Sequence, residues 1–442
     1  MALAFLCTLP FILGWRRGEF DVFEPVYYVS LVTFVYYVLV VTVHMAQDSF
    51  VMRGIDYREE VPLMLAYSIL SLASFYAGYY SFANSDTLRT GKPLSGGERK
   101  FAHSAAIVLM TIFSSLVVLW IVVGRFPLGS LFIFGQASYG DWWELAQGPK
   151  IGYLYASREA LPACLLLAYG TRSTKRIPIQ YVVAALGLLL LFAGDGGRSR
   201  VLLLAMSVWA YLHLEREKRP KALQILVAMG FVLYVIVGAI GFYRAPGHAV
   251  GETPYSTVDA WDVFVDSSSV AVATAAKLHW VSSMADYDWG RFILKILIQW
   301  IPGFAWPAKY ELLPEPGYLQ YFSTGAATTY WVGWYVNFGP LGIIVGMLLL
   351  AWVVRWIFDR YRQNPSSLFL RVSVALLGPF LVKIVGRGDL SQTFYAVLFV
   401  FGPVLLLRWA VGRYQRRRSI GHSGLIPPAE SLNSRDDSSG SP

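Results

Sequence analysis

Two short turns in this chain hold more basic side chains than a membrane turn needs. One is AGDGGRSR, residues 193–200, which interrupts two long apolar runs and carries Arg198 and Arg200. The other is VGRGDLSQ, residues 385–392, with Arg387 and Asp389; Lys383 lies four residues before Arg387 and shares its helix face. Arginine presents a planar fork of donors that fits phosphate and diphosphate oxygens two at a time. The flanking glycines let the backbone come close and add N–H donors of their own. Arg244, just after another apolar run, adds a further cation. The chemistry these residues suit is the holding of a diphosphate at a membrane surface. The competing account is that they snorkel to lipid headgroups, or pair locally, Asp195 with Arg198 or Arg200 and Asp389 with Arg387.

A second set of residues suits proton transfer and sugar contacts. Between 244 and 329 the chain is rich in Trp, Tyr, Asp and Gly. Asp259, Asp262 and Asp266 recur at one helical face, and His248 and His279 flank them. A carboxylate or an imidazole is what a hydroxyl nucleophile needs as a base. Asp266, Asp262 and His279 are the candidates, set against an aromatic interfacial cap that would explain most of the Trp and Tyr. Arg158 and Glu159 are adjacent opposite charges within an apolar run, a costly arrangement that usually faces a cavity or a partner. Cys7 and Cys164 both sit in apolar runs, and no metal-ligand spacing or disulfide framework is present. Neither a metal nor any other cofactor is expected.

The elements that position these groups follow from composition. Of 442 residues 56% are hydrophobic and 15% charged, far below the ~25% of soluble chains. Runs of about 20 apolar residues can cross the ~30 Å hydrocarbon core only as helices here. The expected fold is an all-α polytopic membrane protein of about eleven helices: 1–14, 26–46, 61–83, 101–124, 151–170, 177–194, 201–214, 222–243, 330–353, 366–386 and 392–411. The first is read as a short retained span, since it lacks a basic n-region and a small-residue cleavage site. Residues 1–243 then form an N-terminal bundle, 244–329 a large loop with short amphipathic helices, 330–418 the C-terminal helices, and 419–442 a disordered Ser/Pro/Gly-rich tail.

Orientation comes from charge. The segments RRGEF, RTGKPLSGGERK, TRSTKR, EREKRPK, RWIFDRYRQ and RYQRRR all fall on one side if the spans alternate. The positive-inside rule makes that side, with the C-terminus, cytoplasmic. Both basic turns and the large loop then face outward. The net charge of +9 lies in these short loops and the tail, so it speaks to orientation and not to nucleic acid.

The order of features resembles the Wzy-type polymerases that join repeat units of O-antigen and exopolysaccharide. FDVFEPVYY (20–28) is similar to their Asp-Leu-Phe-Ser-Pro at the start of an early span, and GDGGRSRVLLL to their Gly-x-Arg turn. WIPGFAWPAK (300–309) resembles Ile-Pro-Arg-x-x-Trp-Pro-x-Lys, STGAATTYWVGWYVNFGPLGIIVGMLL the Asn-Phe-Gly-x-x-Gly span, and VGRGDL the Arg-Gly-Asp turn. Two positions depart: Gly303 where an Arg is usual, and Gly333 where many members have Glu. The resemblance implies a metal-independent membrane glycosyltransferase of the bacterial inner membrane. Its donor is a glycan on undecaprenyl diphosphate, its acceptor a lipid-linked repeat unit, and its expected partners a flippase and a chain-length regulator. On this reading Arg198, Arg200, Arg387, Lys383 and Arg244 hold the diphosphate, and Arg158, Glu159, Asp389 and Lys309 line the site. A ligase that moves the glycan to another acceptor shares these features. A transporter of the lipid-linked glycan would show internal repeats and midplane charges, which the sequence lacks.

Overall fold

A computed structural model describes residues 1–17, 21–47, 50–52, 54–82, 93–123, 152–172, 178–194, 198–215, 270–284, 287–299, 301, 306, 308, 328–388 and 390–423. Helix α1 (Ala2–Arg17) leads to α2 (Pro25–Phe34), which a π turn (Val35–Leu39) joins to α3 (Val40–Ala46). Pro25 opens α2 because its missing N–H would have had no intrahelical partner. A two-residue hairpin, β1 (Val51–Met52) and β2 (Ile55–Asp56), and a 3₁₀ turn (Arg58–Glu60) then feed α4 (Val61–Ser81).

The bundle continues with α5 (Gly96–Val123), α6 (Gly152–Ser157) and α7 (Leu161–Gly170), the last two joined by a 3₁₀ turn at Arg158–Ala160. After them come α8 (Ile179–Gly194), α9 (Arg198–Glu215), α10 (Val270–Ser283) and α11 (Arg291–Gln299). Three long helices close the described chain: α12 (Tyr330–Gln363), α13 (Leu368–Arg387) and α14 (Leu390–Ser423). Among the described residues six spans are long and apolar enough to cross a membrane, and Ala2–Arg16 and Ile179–Phe192 are shorter apolar helices. The protein is an all-α polytopic membrane protein. The expected span 222–243 lies outside the described residues, and α14 runs to Ser423, beyond the 392–411 expected for the last span.

Helix α13 sits centrally, against α2, α7, α9, α12 and α14. Small residues allow this, since close backbone approach drives helix association where lipid is as apolar as leucine. A Cβ on Gly378 would lie 2.7 Å from the Tyr28 ring, and one on Gly386 2.8 Å from the Tyr36 ring. These contacts advance together along both helices, so α2 and α13 run parallel. Likewise Tyr67 meets Tyr335 while Gly78 meets Ala351, so α4 and α12 run parallel.

The two ends of the bundle are therefore defined by contacts. At one end Glu24, before α2, accepts from the Tyr79 hydroxyl (3.2 Å) and lies 3.6 Å from Arg355, whose Nε donates to Asp359 (2.8 Å). At the other end the Tyr37 hydroxyl, in the π turn, bonds Thr329 (2.7 Å) and Thr274 (3.3 Å), tying α2 to the start of α12 and to α10.

Helix α10 differs from expectation. It falls where an amphipathic cap is expected, yet Val270–Ala276, Leu278 and Val281 are buried on both faces. Its run of alanines lets it pack against α4, α12 and the π turn as a core helix. Helix α12 is broken inside, at Phe338 (φ −141°) and Gly339 (φ +63°). The cause is Pro340, which has no N–H for the Val336 carbonyl one turn back and clashes with it. The Asp288 N–H takes that carbonyl instead (2.9 Å), and the Tyr287 ring packs on Gly339. The turn 287–290 is thereby docked onto the break, a non-helical backbone tolerated because protein covers it.

Candidate functional site

The site grows from a local irregularity. Pro162 cannot donate to the carbonyl of Arg158 four residues back, so the helix tightens into the 3₁₀ turn Arg158–Ala160 between α6 and α7. The Ser157 hydroxyl turns back onto the Leu154 carbonyl (2.6 Å). This geometry sends Arg158 and Glu159 into the protein: Arg158 is 0% exposed, with its guanidinium 5.3 Å from the Trp120 ring centroid on α5.

Glu159 is where the basic residues of two distant segments meet. Lys383 on α13 donates to both carboxylate oxygens, at 2.6 and 2.7 Å. Arg200 in the first turn of α9 donates through Nε at 3.3 Å. The side chains of Glu159, Lys383 and Arg200 are 9%, 11% and 15% exposed. Arg158 is close enough to act electrostatically on both Glu159 and Lys383. So the described part of the cluster is three cations around one carboxylate, near the C-terminus of α13 and the N-terminus of α9. Arg198 opens α9, where two basic residues oppose the positive end of the helix dipole, a placement suited to an anion. Arg387 ends α13, one turn beyond Lys383. Arg200 thus reaches Glu159 on another helix, while Asp195, its expected local partner, lies outside the described residues.

A second group lies at the same end, beside α10. His279 Nδ1 is 2.9 Å from Glu60 Oε1 at the head of α4. Tyr57 meets the imidazole edge-on (5.6 Å, 71°), as does Trp280 (5.2 Å, 88°), and Trp280 Nε1 donates to the Tyr57 hydroxyl at 3.1 Å. The hairpin fixes this corner. Arg58 donates to Asp56 through its Nε (2.6 Å) and its backbone N–H (3.0 Å), which holds that carboxyl below its usual range. Sequence reasoning named His279 as a candidate but did not name Glu60. The available signal was an acidic residue just before Pro62, at the start of a span.

Other expected site residues, Arg244, His248, Asp259, Asp262, Asp266, Lys309 and Asp389, and the departure at Gly303, lie outside the described residues. Gly333 is described, and it has a packing reason: a Cβ there would lie 2.7 Å from the Leu390 Cβ and 3.3 Å from the Leu390 N. The start of α14 occupies the space a Glu would need. Among the described residues no three His, Cys, Asp or Glu side chains are grouped to hold a metal ion.

A model of the family described as O-antigen polysaccharide polymerase Wzy matches residues 3–306. The chain belongs to the Wzy family. No curated protein and no solved structure matches it. Membership makes the protein an O-antigen repeat-unit polymerase, a glycosyltransferase-like membrane enzyme acting on lipid-linked oligosaccharide repeat units. The matched residues include Glu60, Glu159, Arg198, Arg200 and His279 and stop short of Lys383 and Arg387. The association of the two basic turns therefore rests on the fold, where Arg200 and Lys383 share Glu159.

Proposed function

We propose that this Wzy polymerase joins undecaprenyl-diphosphate-linked repeat units at the outer face of the bacterial inner membrane. On this reading the C-terminus is cytoplasmic, and a flippase and a chain-length regulator are the partners. The observation that carries the site is the meeting of Lys383 and Arg200 on Glu159, next to buried Arg158. Cations gathered in a low-dielectric setting attract an anion far more strongly than they would in water.

The acceptor's terminal hydroxyl oxygen attacks the anomeric carbon of the donor glycan. The bond from that carbon to the phosphate oxygen breaks, and its electron pair leaves with the lipid diphosphate. The hydroxyl proton passes to a base, for which His279, Asp262 and Asp266 are the candidates. Because the leaving group is already a diphosphate, the protein's task is to position two lipids and neutralise the charge that builds on it. Arg200 and Lys383, with Arg198, Arg387 and Arg244, take that role without a metal; Arg158, Glu159, Asp389 and Lys309 line the site.

Replacing Arg200, Arg198 or Arg387 with Ala is expected to remove long-chain glycan while single repeat units persist on lipid, read as the ladder of glycan lengths. Wild-type ladders from all three variants at wild-type protein levels would refute the diphosphate site.

A further inference from the structure

We infer that Glu60 is a positioning residue for this reaction, holding His279 so that its Nε2 takes the proton from the acceptor hydroxyl. The inference rests on the polymerase reading above and goes beyond it by choosing among the candidate bases and adding a residue to the machinery.

The geometry is that of a base and its orienter. A carboxylate can only accept hydrogen bonds, so the His279 nitrogen facing Glu60 Oε1 at 2.9 Å carries the hydrogen. In the neutral ring that leaves the lone pair on Nε2. No described residue bonds to Nε2, so it is available to a substrate hydroxyl. Tyr57 and Trp280 stand edge-on to the imidazole and limit its rotation. Trp280 is itself tied to the Tyr57 hydroxyl. Exposure is graded in the sense a proton-transfer site needs: 39% for the His279 side chain and 20% for Glu60 behind it. A contact this open to its surroundings adds little to stability, so structural support alone is a poor reason for the arrangement.

The elements bring the dyad to the right end of the molecule. Glu60 sits at the head of α4 and His279 toward the end of α10, beyond Thr274, which bonds Tyr37 in the π turn. That turn lies beside Gly386 on α13, one turn from Lys383. The dyad and the basic cluster therefore share one end of the bundle. In the step itself, the acceptor O–H bond breaks and its proton goes to His279 Nε2. The oxygen forms its bond to the anomeric carbon, and the electron pair of the breaking C–O bond leaves on the diphosphate. The imidazolium that results is stabilised by the Glu60 carboxylate beside it.

The test uses the full chain in lipid nanodiscs with a synthetic undecaprenyl-diphosphate-linked repeat unit as probe, reading initial rates of glycan extension over probe concentration. His279→Gln is expected to lower kcat by roughly 100-fold or more, the usual worth of a general base. Glu60→Gln is expected to lower kcat about 10-fold at unchanged KM, and Glu60→Asp to recover most of it. The Glu60→Gln/His279→Gln double variant should be no slower than His279→Gln, because the two residues act as one unit. If Glu60→Gln keeps wild-type kcat, changes KM alone, or slows the His279→Gln protein as much as it slows wild type, the inference is overturned. Thermal unfolding of each variant separates these results from misfolding; a slow Glu60→Gln protein that is also unfolded, with no recovery in Glu60→Asp, overturns it too. Wild-type protein that extends nothing from this probe overturns the polymerase reading and Glu60's role together. Wild-type extension with an unaffected Glu60→Gln overturns the role of Glu60 alone.

Discussion

The clearest perturbation of the basic cluster is Glu159→Gln. The carboxylate accepts from Lys383 at 2.6 and 2.7 Å and from Arg200 at 3.3 Å, with all three side chains 15% exposed or less. Removing one partner of a buried ion pair costs roughly 3–5 kcal/mol, because the remaining charges stay buried without compensation. Unliganded Glu159→Gln protein is thus expected to unfold at a clearly lower temperature than wild type. A diphosphate should narrow the gap, because it stabilises Glu159→Gln more than it stabilises wild type. In wild type an incoming anion meets the negative charge of Glu159; at ~4 Å and an effective dielectric near 20 that repulsion is about 4 kcal/mol. Retaining even a third of it as net effect gives Glu159→Gln about ten-fold tighter diphosphate binding. The assay is thermal unfolding in nanodiscs against rising geranyl diphosphate, with geraniol as the lipid-only control. Ligand at about 100 times its Kd should restore ~2.7 kcal/mol. If geranyl diphosphate raises the unfolding temperature of neither protein, or acts no better than geraniol, the cluster is a structural ion pair and the diphosphate site is wrong.

Two further outcomes follow from the packing. Gly333→Glu is expected to destabilise the protein by about 1–3 kcal/mol or more, because the new side chain meets Leu390; thermal unfolding reads this, and an unchanged midpoint would refute the contact. Cys7 and Cys164 are both buried, so single-cysteine labelling starts from a quiet background. Asp56→Cys should react with an impermeant maleimide from outside the membrane and Arg416→Cys should not; the reverse pattern would invert the orientation.

Much of the bundle was legible as one-dimensional pattern. A window of apolar residues long enough to cross a bilayer nearly dictates a helix, because every backbone polar group must be satisfied within its own segment. The helices at 25–46, 61–81, 96–123, 330–363 and 368–387 are in that sense written in the chain. Helix α10 was not, since a stretch of alanine, valine and threonine is too short and too mild to distinguish a surface cap from a core helix. Pro340 signalled a break in α12, but not that the turn 287–290 would cover it.

For the site, the sequence by itself determined which residue types stand at which ends of the helices: Arg198 and Arg200 opening one helix, Lys383 and Arg387 near the end of another, and Arg158 with Glu159 within an apolar run. Hydropathy and charge alternation fix such positions because they depend only on depth along a helix axis. Partner choice depends on which helices touch and which faces they turn to each other, and that is a property of the packed bundle. Tertiary structure alone therefore decided that Lys383 and Arg200 share Glu159, that Glu60 stands behind His279, and that position 333 has room only for glycine.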